Sequence, residues 1–406
     1  MMATSDIKPL VSIRNLEVEF EVHGTTVNAV QGVSFDIFSG TSVALVGESG
    51  SGKSVIARTV MGLLANNGRI AGGQVLLNLP DSDRQIDIAS QDQDGAVMQS
   101  IRGGTISMIF QEPMVSLSPL HTIGDQVSEA LMIHRNVSPK EGESLTRDML
   151  KMVGFRKPAE MMNAYPFELS GGMRQRAMIA MALVCHPALL IADEPTTALD
   201  VTIQAQILEL IADLQKKLNM AVLMITHDLG VVANVAEQVV VLYQGRVMER
   251  GTVEQLYRNP GHPYTRSLMA AVPRFDMGPE ERLTPIREIK PKIGSMLKQK
   301  KGDTHEARDI LQVKNVSKTF TLRSSNWALK SYTRTIRAVD NVSFTLRRGE
   351  SLGLVGESGS GKTTLAKMVA QAFSPDIGEI LFYSRNQVYK VNELDEQELL
   401  DYRRRA

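Results

Sequence analysis

The sequence predicts an α/β fold: a buried parallel sheet carrying a phosphate-binding loop, an inserted helical subdomain, and then the opening part of a second copy of the same fold. Three observations carry that prediction. Short apolar runs bounded by polar turns recur at Ser42–Val46, Ala188–Ala192, Val222–Thr226 and Val239–Tyr243, the pattern of strands buried on both faces. Stretches of helical period such as Ile203–Leu218 separate them. An internal repeat completes the set, because residues 29–54 and 338–363 align without gaps and agree at 16 of 26 positions.

Taken in order, Val11–Phe20 alternates as a strand, followed by strands at Val33–Ile37 and Ser42–Val46. A Gly-rich loop leads into a helix predicted over Ser54–Leu64, whose apolar positions are Val55, Ile56, Val60, Leu63 and Leu64. Residues from about 113 to 168 are rich in Met, Glu, His and Ser with helical period, which suggests an inserted helical subdomain. The first domain is expected to run over residues 1–273 and to end in an extension over about 246–273. Arg274–Arg308 contains Pro279, Pro285 and Pro291 with mixed charge and little periodicity, and reads as a linker. The second copy occupies 309–406. Its opening string LQVKNVSKTF parallels VSIRNLEVEF at an offset of 300, against 309 further on, so it carries a nine-residue insertion within Arg323–Arg337. Only 44 residues follow its Lys362, so the second copy is expected to be incomplete.

Composition removes several classes. With 45 Lys+Arg against 45 Asp+Glu the formal charge is zero, which gives no support for a nucleic-acid partner. One cysteine, Cys185, excludes a disulfide scaffold and a four-cysteine metal site within the chain. Its apolar helical surroundings mark it as a small buried hydrophobe. No apolar run approaches the roughly 20 residues needed to span a bilayer, and MMATSDIKPL lacks the apolar stretch of a signal peptide. A membrane role would therefore come through a partner.

The chemistry sits in spaced motifs. Gly47, Glu48, Ser49, Gly50, Ser51, Gly52, Lys53 and Ser54 satisfy G-x-x-x-x-G-K-[ST] between a strand and a helix. The glycines let backbone N–H groups face phosphate oxygens at the positive end of a helix. Lys53 reaches the β- and γ-phosphates and Ser54 ligates magnesium. The second copy repeats the motif at Gly356, Glu357, Ser358, Gly359, Ser360, Gly361, Lys362 and Thr363, with Thr363 in the magnesium position. ALLIADE ends an apolar strand in two acids: Asp193 is placed for the magnesium shell and Glu194 for polarising an attacking water. Ser170, Gly171 and Gly172 open a helical run, either as an anion-binding nest or simply as an N-cap with a tight turn. Gln111 and His227 each follow an apolar strand, where an isolated polar residue is more often structural. Their order, after Lys53 and around Asp193–Glu194 and Asp200, favours catalysis.

With MIFQEPM, LSGGMRQR, LLIADEPTTALD and ITHD in that order, the chain resembles the ATP-binding cassette ATPases, P-loop NTPases with a RecA-like core. The strings MIFQEPMVSLSPLHTIGDQ, DVTIQAQIL and RNPGHPYTRSLMAAVP narrow the resemblance to the ATP-binding subunits of bacterial peptide importers, and the tandem arrangement to their fused glutathione-import type and its microcin-peptide relative. The resemblance implies ATP and Mg2+ as ligands and a sandwich in which the Ser170–Gly172 signature covers a nucleotide on another cassette, in the same chain or a second one. It implies that Gln111 touches magnesium or the lytic water, that His227 holds the γ-phosphate and orients Glu194, and that Phe20 stacks on adenine. Two integral-membrane permease subunits and a periplasmic solute-binding protein are the implied partners, with the chain peripheral on the cytoplasmic face of the inner membrane. The HPYT tail has no cysteines, so no iron–sulfur cluster is expected there. Two rivals remain: a soluble tandem-cassette protein acting on ribosomes, which the Pro-broken linker and neutral charge disfavour, and a nucleotide-binding remnant without transport activity.

Overall fold

The computed structural model describes residues 8–79, 84–111, 116–197, 199–271, 309–324, 332–357, 359–384 and 387–405. The linker expected at 274–308 and residue Ser358 lie outside them. The chain divides into two compact units, residues 1–290 and 291–406.

Unit 1 contains two sheets. Strands β1 (Val11–Val22) and β2 (Thr25–Ile37) form an antiparallel pair; β3 (Ser42–Val46) leaves for the second sheet; β4 (Gly68–Asn78) and β5 (Gln85–Asp87) return, giving the order β2-β1-β4-β5. β2 is longer than the Val33–Ile37 predicted. Its first half, Thr25–Asn28, is exposed and polar enough to read as loop, and only its pairing with Val22–Glu19 of β1 makes it strand. The second sheet continues with β6 (Ile106–Ile109), β7 (Leu189–Asp193), β8 (Ala221–Thr226), β9 (Gln238–Tyr243) and β10 (Arg246–Thr252), in the order β10-β9-β3-β8-β7-β6. Every pair in it is parallel except β9–β10. The apolar runs read from the sequence are thus the central strands, and all five residues of β3 and of β7 are buried.

The helix after the Gly-rich loop spans Lys53–Val60, shorter than the Ser54–Leu64 predicted. Gly62, at φ 60, stops it, and Leu63 and Leu64 still pack on the core from beyond its end. Between β6 and the helix Gly171–Leu183 stand the helices Ile123–His134, Pro139–Met152 and Pro158–Met162. The first is closed by a capping box in which Thr122 and Asp125 satisfy each other's backbone N–H groups. These helices share a core with the outer face of β6, β7 and β8 through Ile123, Val127, Leu131 and Leu150. Cys185 lies buried in that core, as expected, and its Sγ donates to Ala130 O at 3.4 Å. After β10 come the helices Val253–Arg258 and Pro263–Ala270.

Unit 2 repeats the antiparallel sheet as β11 (Asp309–Ser324), β12 (Tyr332–Arg347), β13 (Ile377–Ser384) and β14 (Gln387–Lys390), in the order β12-β11-β13-β14. Ser351–Val355, the counterpart of β3, is not a strand here. In unit 1 that segment is sandwiched between β8 and β9. Among the described residues of 309–406 the strands form only the antiparallel sheet, and Leu352, Leu354 and Val355 stand 49%, 47% and 89% exposed.

Leu45, fully buried, lies level with Ile225 of β8 and Val240 of β9. Leu45→Ala should cost about 2–5 kcal/mol of stability. Leu120→Ala, at a position 81% exposed, should stay within about 0.5 kcal/mol. Urea denaturation of the two variants measures the difference.

Candidate functional site

The loop between β3 and the helix Lys53–Val60 is built on two glycines that tolerate no side chain. A Cβ on Gly47, at φ 149, would lie 2.1 Å from Leu242 O, and one on Gly52, at φ 100, would lie 2.6 Å from Ala29 O. Lys53 is buried, and its Nζ donates to Gly47 O and Glu48 O at 2.8 Å each. Burial lowers its pKa, an effect partly offset by the negative charges of Glu194, Asp193 and Glu48. The ammonium is therefore parked on loop carbonyls, close to the acids that close β7.

Asp193, the last residue of β7, is buried and accepts from Ser54 Oγ at 3.0 Å. Burial raises its carboxyl, the neighbouring Glu194 charge adds to the rise, and the Ser54 hydrogen bond opposes it. A hydroxyl beside a carboxylate is a hard-oxygen pair of the kind that suits Mg2+, which typically takes one or two carboxylates and completes its shell with phosphate oxygens and water. No group of three or more His, Cys, Asp or Glu able to hold a metal occurs among the described residues.

Glu194 adopts φ 47, a left-handed backbone that a residue with a side chain adopts at a cost of about 1–3 kcal/mol. Its N–H donates to Ile225 O at 2.9 Å, which holds the turn against β8. The turn brings the carboxylate under three donors. Oε2 accepts from Gln111 Nε2 and Thr197 Oγ1, both at 3.0 Å, and Oε1 lies 3.0 Å from His227 Nδ1. Burial raises the Glu194 carboxyl, but the hydrogen bonds from His227 and Thr197 and the positive charges of His227 and Lys53 outweigh it, leaving it below the ordinary carboxylate range. An ionised carboxylate at the mouth of a phosphate loop can accept a proton from water.

Gly47–Ser54, Gln111, Asp193, Glu194 and His227 therefore form one cluster. Ser170–Gly172 lie apart from it. Ser170 caps the helix Gly171–Leu183, accepting from Met173 N at 3.4 Å, and is exposed. A Cβ on Gly172 would come within 2.8 Å of Ile203 Cγ2, so the signature packs on the helix Val201–Leu218, which Asp200 caps. Phe20 is half-buried, its ring over Gly68 across the β1–β4 pair. In unit 2, Lys362 Nζ repeats the grip on Gly356 O and Glu357 O at 2.7 and 2.6 Å, Gly361 lies at φ 95, and Gly359, Ser360 and Thr363 complete the described part of the loop.

Two functional residues escape a reading of the sequence. Thr197 lies inside the string PTTALD, but nothing in a string says which threonine reaches the acid. Gln175, buried, donates from Nε2 to Pro195 O and so ties the signature helix to the acid turn. A Gln on an apolar helix could have flagged it.

The ABC transporter family matches residues 30–197 and 339–404, more than half of the chain, and the chain belongs to it. The C-terminal region of oligopeptide/dipeptide transporters matches residues 248–304. The glutathione import ATP-binding protein GsiA of Escherichia coli strain K12 is 45% identical over 383 residues, covering 93% of this chain and 60% of that protein. The protein of the same name from Salmonella typhimurium strain LT2 is 44% identical with the same coverage. The chain thus spans about 60% of the length of these relatives. Among solved structures, the ATP-binding cassette MJ0796, dimeric in a post-hydrolysis state with ADP and Pi, superposes with a TM-score of 0.52 at 28% identity, covering 60% of this chain and 98% of that one. CbiO1 from Clostridium perfringens, part of the cbiONQ ABC transporter complex, gives 0.52 at 25% identity, covering 62% and 91%.

The lowered Glu194 pKa has a signed consequence. A folded value below the ordinary 4.5 contributes stability that is full above that pH and is lost as pH falls through the folded value. The stability gap between the wild type and Glu194→Gln should therefore shrink below about pH 4.5. Thr197→Ala removes one donor and should move the wild-type acid limb upward. Denaturant midpoints measured from pH 6 to 3 test both statements, and a gap that stays constant with pH contradicts them.

Proposed function

We propose that the chain is the ATP-binding and hydrolysing subunit of a bacterial ABC importer for glutathione or di- and oligopeptides, working with Mg2+. The observation that carries this reading is the Glu194 carboxylate, gripped by Gln111, Thr197 and His227 and set one residue beyond the acid that holds Ser54. That is an assembly for aiming a base, and a purely nucleotide-binding protein has no use for it. The C-terminal region shared with peptide transporters and the names of the relatives support the import assignment.

Phosphoryl transfer asks a protein mainly for positioning and charge stabilisation. Lys53 exchanges the carbonyls of Gly47 and Glu48 for phosphate oxygens, gaining a charge-assisted contact. The N–H groups of Ser49–Ser54 cradle the phosphates. Ser54 and Asp193, with Gln111 alongside, would hold Mg2+, which when bound draws charge off the phosphate oxygens. Glu194 takes the proton of the attacking water. To donate to Glu194, His227 carries a proton on Nδ1.

Ser170–Gly172 belong, on this reading, to a neighbouring nucleotide: the exposed N-terminus of their helix meets the γ-phosphate held by another cassette's loop. Phe20 supplies the surface for adenine. Residues 1–273 act as one cassette with 274–308 as linker and 309–406 as part of a second, whose Gly356–Thr363 loop binds a further nucleotide. The helices over 113–168 pass the motion to two membrane permeases fed by a periplasmic solute-binding protein, and the chain sits peripherally on the cytoplasmic face of the inner membrane. Leu120, Ile133 and Phe167, at 81%, 67% and 65% exposure on that subdomain, are apolar surface for such a contact. Among the described residues no helix is long and apolar enough to cross a membrane.

Glu194→Gln should slow Mg-ATP hydrolysis by about 10²–10⁴-fold while sparing ATP binding, whereas Lys53→Ala should weaken binding itself. Hydrolysis and nucleotide titration on the two variants separate these effects, and near-normal turnover by Glu194→Gln contradicts the assignment. In cells, the chain should enter the membrane fraction only when the permeases are co-expressed. Membrane association without them would contradict the partner assignment.

A further inference from the structure

The segment that follows β9 reaches back to the phosphate loop at two points. The Gly245 N–H donates to Ser51 O at 3.1 Å, and the hydroxyl of Tyr264 accepts from the Glu48 N–H at 3.3 Å. Tyr264 is set for this by a chain of contacts. Glu249 on β10 accepts from the N–H groups of Gly261 and His262, at 2.7 and 3.0 Å. His262 Nδ1 then accepts from Tyr264 N at 3.1 Å, capping the helix Pro263–Ala270. The Tyr264 ring lies on Tyr243, centroids 4.5 Å apart, and Tyr243 follows Leu242, whose carbonyl forbids a side chain on Gly47.

We propose that Tyr264 is a positioning residue for the phosphate loop, through which the C-terminal extension sets nucleotide affinity. This rests on the nucleotide-binding reading above and goes beyond it by giving the extension a part in that site. Without phosphate, Lys53 holds the first half of the loop by gripping Gly47 O and Glu48 O. Once its ammonium moves to a phosphate, that grip is given up, while the turn bond from Ser51 N to Glu48 O, at 3.2 Å, stays within the loop. The Tyr264 hydroxyl, anchored outside the loop, keeps Glu48 in place at that moment. Its hydroxyl meets the loop at the Glu48 N–H rather than at the acid turn, so its loss acts on binding and leaves the chemical step alone.

Mg-ADP titration by calorimetry on the full chain, with KM and kcat for Mg-ATP, tests this. Tyr264→Phe keeps the ring on Tyr243 and removes the hydroxyl that accepts from Glu48. It should raise the Mg-ADP Kd and the KM for ATP by about two- to tenfold, the scale of one neutral hydrogen bond, with kcat unchanged. Tyr257→Phe is the control within the same extension, because its hydroxyl donates to Leu229 O, away from the loop. It should lower the melting temperature and leave the Kd alone. If Tyr264→Phe binds Mg-ADP as the wild type does, or if Tyr257→Phe weakens binding equally, the positioning role is overturned while the nucleotide-binding reading stands. If the wild type itself fails to bind Mg-ADP, both fall.

Discussion

The site depends on one backbone turn, the left-handed conformation of Glu194 at the end of β7. β7 is buried along its length and runs parallel to its neighbours, so its carboxyl end is fixed at the edge of the sheet where β3 also ends. A strand continuing straight would carry successive side chains to opposite faces. Asp193 would then face Ser54 and Glu194 would face away from it. The positive φ brings both acids to the phosphate side, and the bond from Glu194 N to Ile225 O holds that geometry. The strain is offset by Gln111, Thr197 and His227, which come from three other places in the chain and meet at that one carboxylate.

The two phosphate loops separate what a motif fixes from what its surroundings add. Both put a lysine ammonium on the carbonyls of the first two loop residues, and both place the last glycine at φ near 100. The conformation is therefore local, set by the glycines and the start of a helix. Burial is not. Lys53 is buried beside Asp193 and Glu194, whereas Lys362 is half-buried and Ser351–Val355 before it is exposed. A repeated string establishes a second loop of the same shape, and a catalytic environment comes only with the parallel strands that bring the acids.

This explains how much was legible beforehand. β3, β7, β8 and β9 could be read because strands buried on both faces are nearly unbroken apolar runs. β2 reads short in the sequence because Thr25, Thr26 and Asn28 are polar and the segment is exposed, owing its conformation to β1 rather than to its own residues. The helix Lys53–Val60 was read long because Leu63 and Leu64 keep apolar spacing past the glycine that ends it. At the site, Gln111, Asp193, Glu194 and His227 stand at strand ends, where a polar residue breaks an apolar run and so announces itself. Thr197 and Tyr264 give no such sign. Each acts through a hydroxyl, Thr197 on Glu194 three residues back and Tyr264 on Glu48 far away in the chain, and only the folded chain shows where that hydroxyl points.

The signature helix shows how the parts are coupled. Ser170–Gly172 make no contact with the Lys53 loop, yet the helix they begin is tied to the acid turn by Gln175 on Pro195 O and packed on the Asp200-capped helix through Gly172 and Ile203. Gly172 leaves no room for a side chain there because the Ile203 side chain packs against it, so any shift of one helix start presses on the other. A nucleotide contacted by Ser170 would thus be felt at Pro195, one residue from Glu194, the base proposed for a different site. The interior between them is close-packed, with Gln175 fully enclosed. A displacement at the signature therefore has little slack in which to dissipate before it reaches Glu194, and that is the physical condition for two nucleotide sites to act in concert.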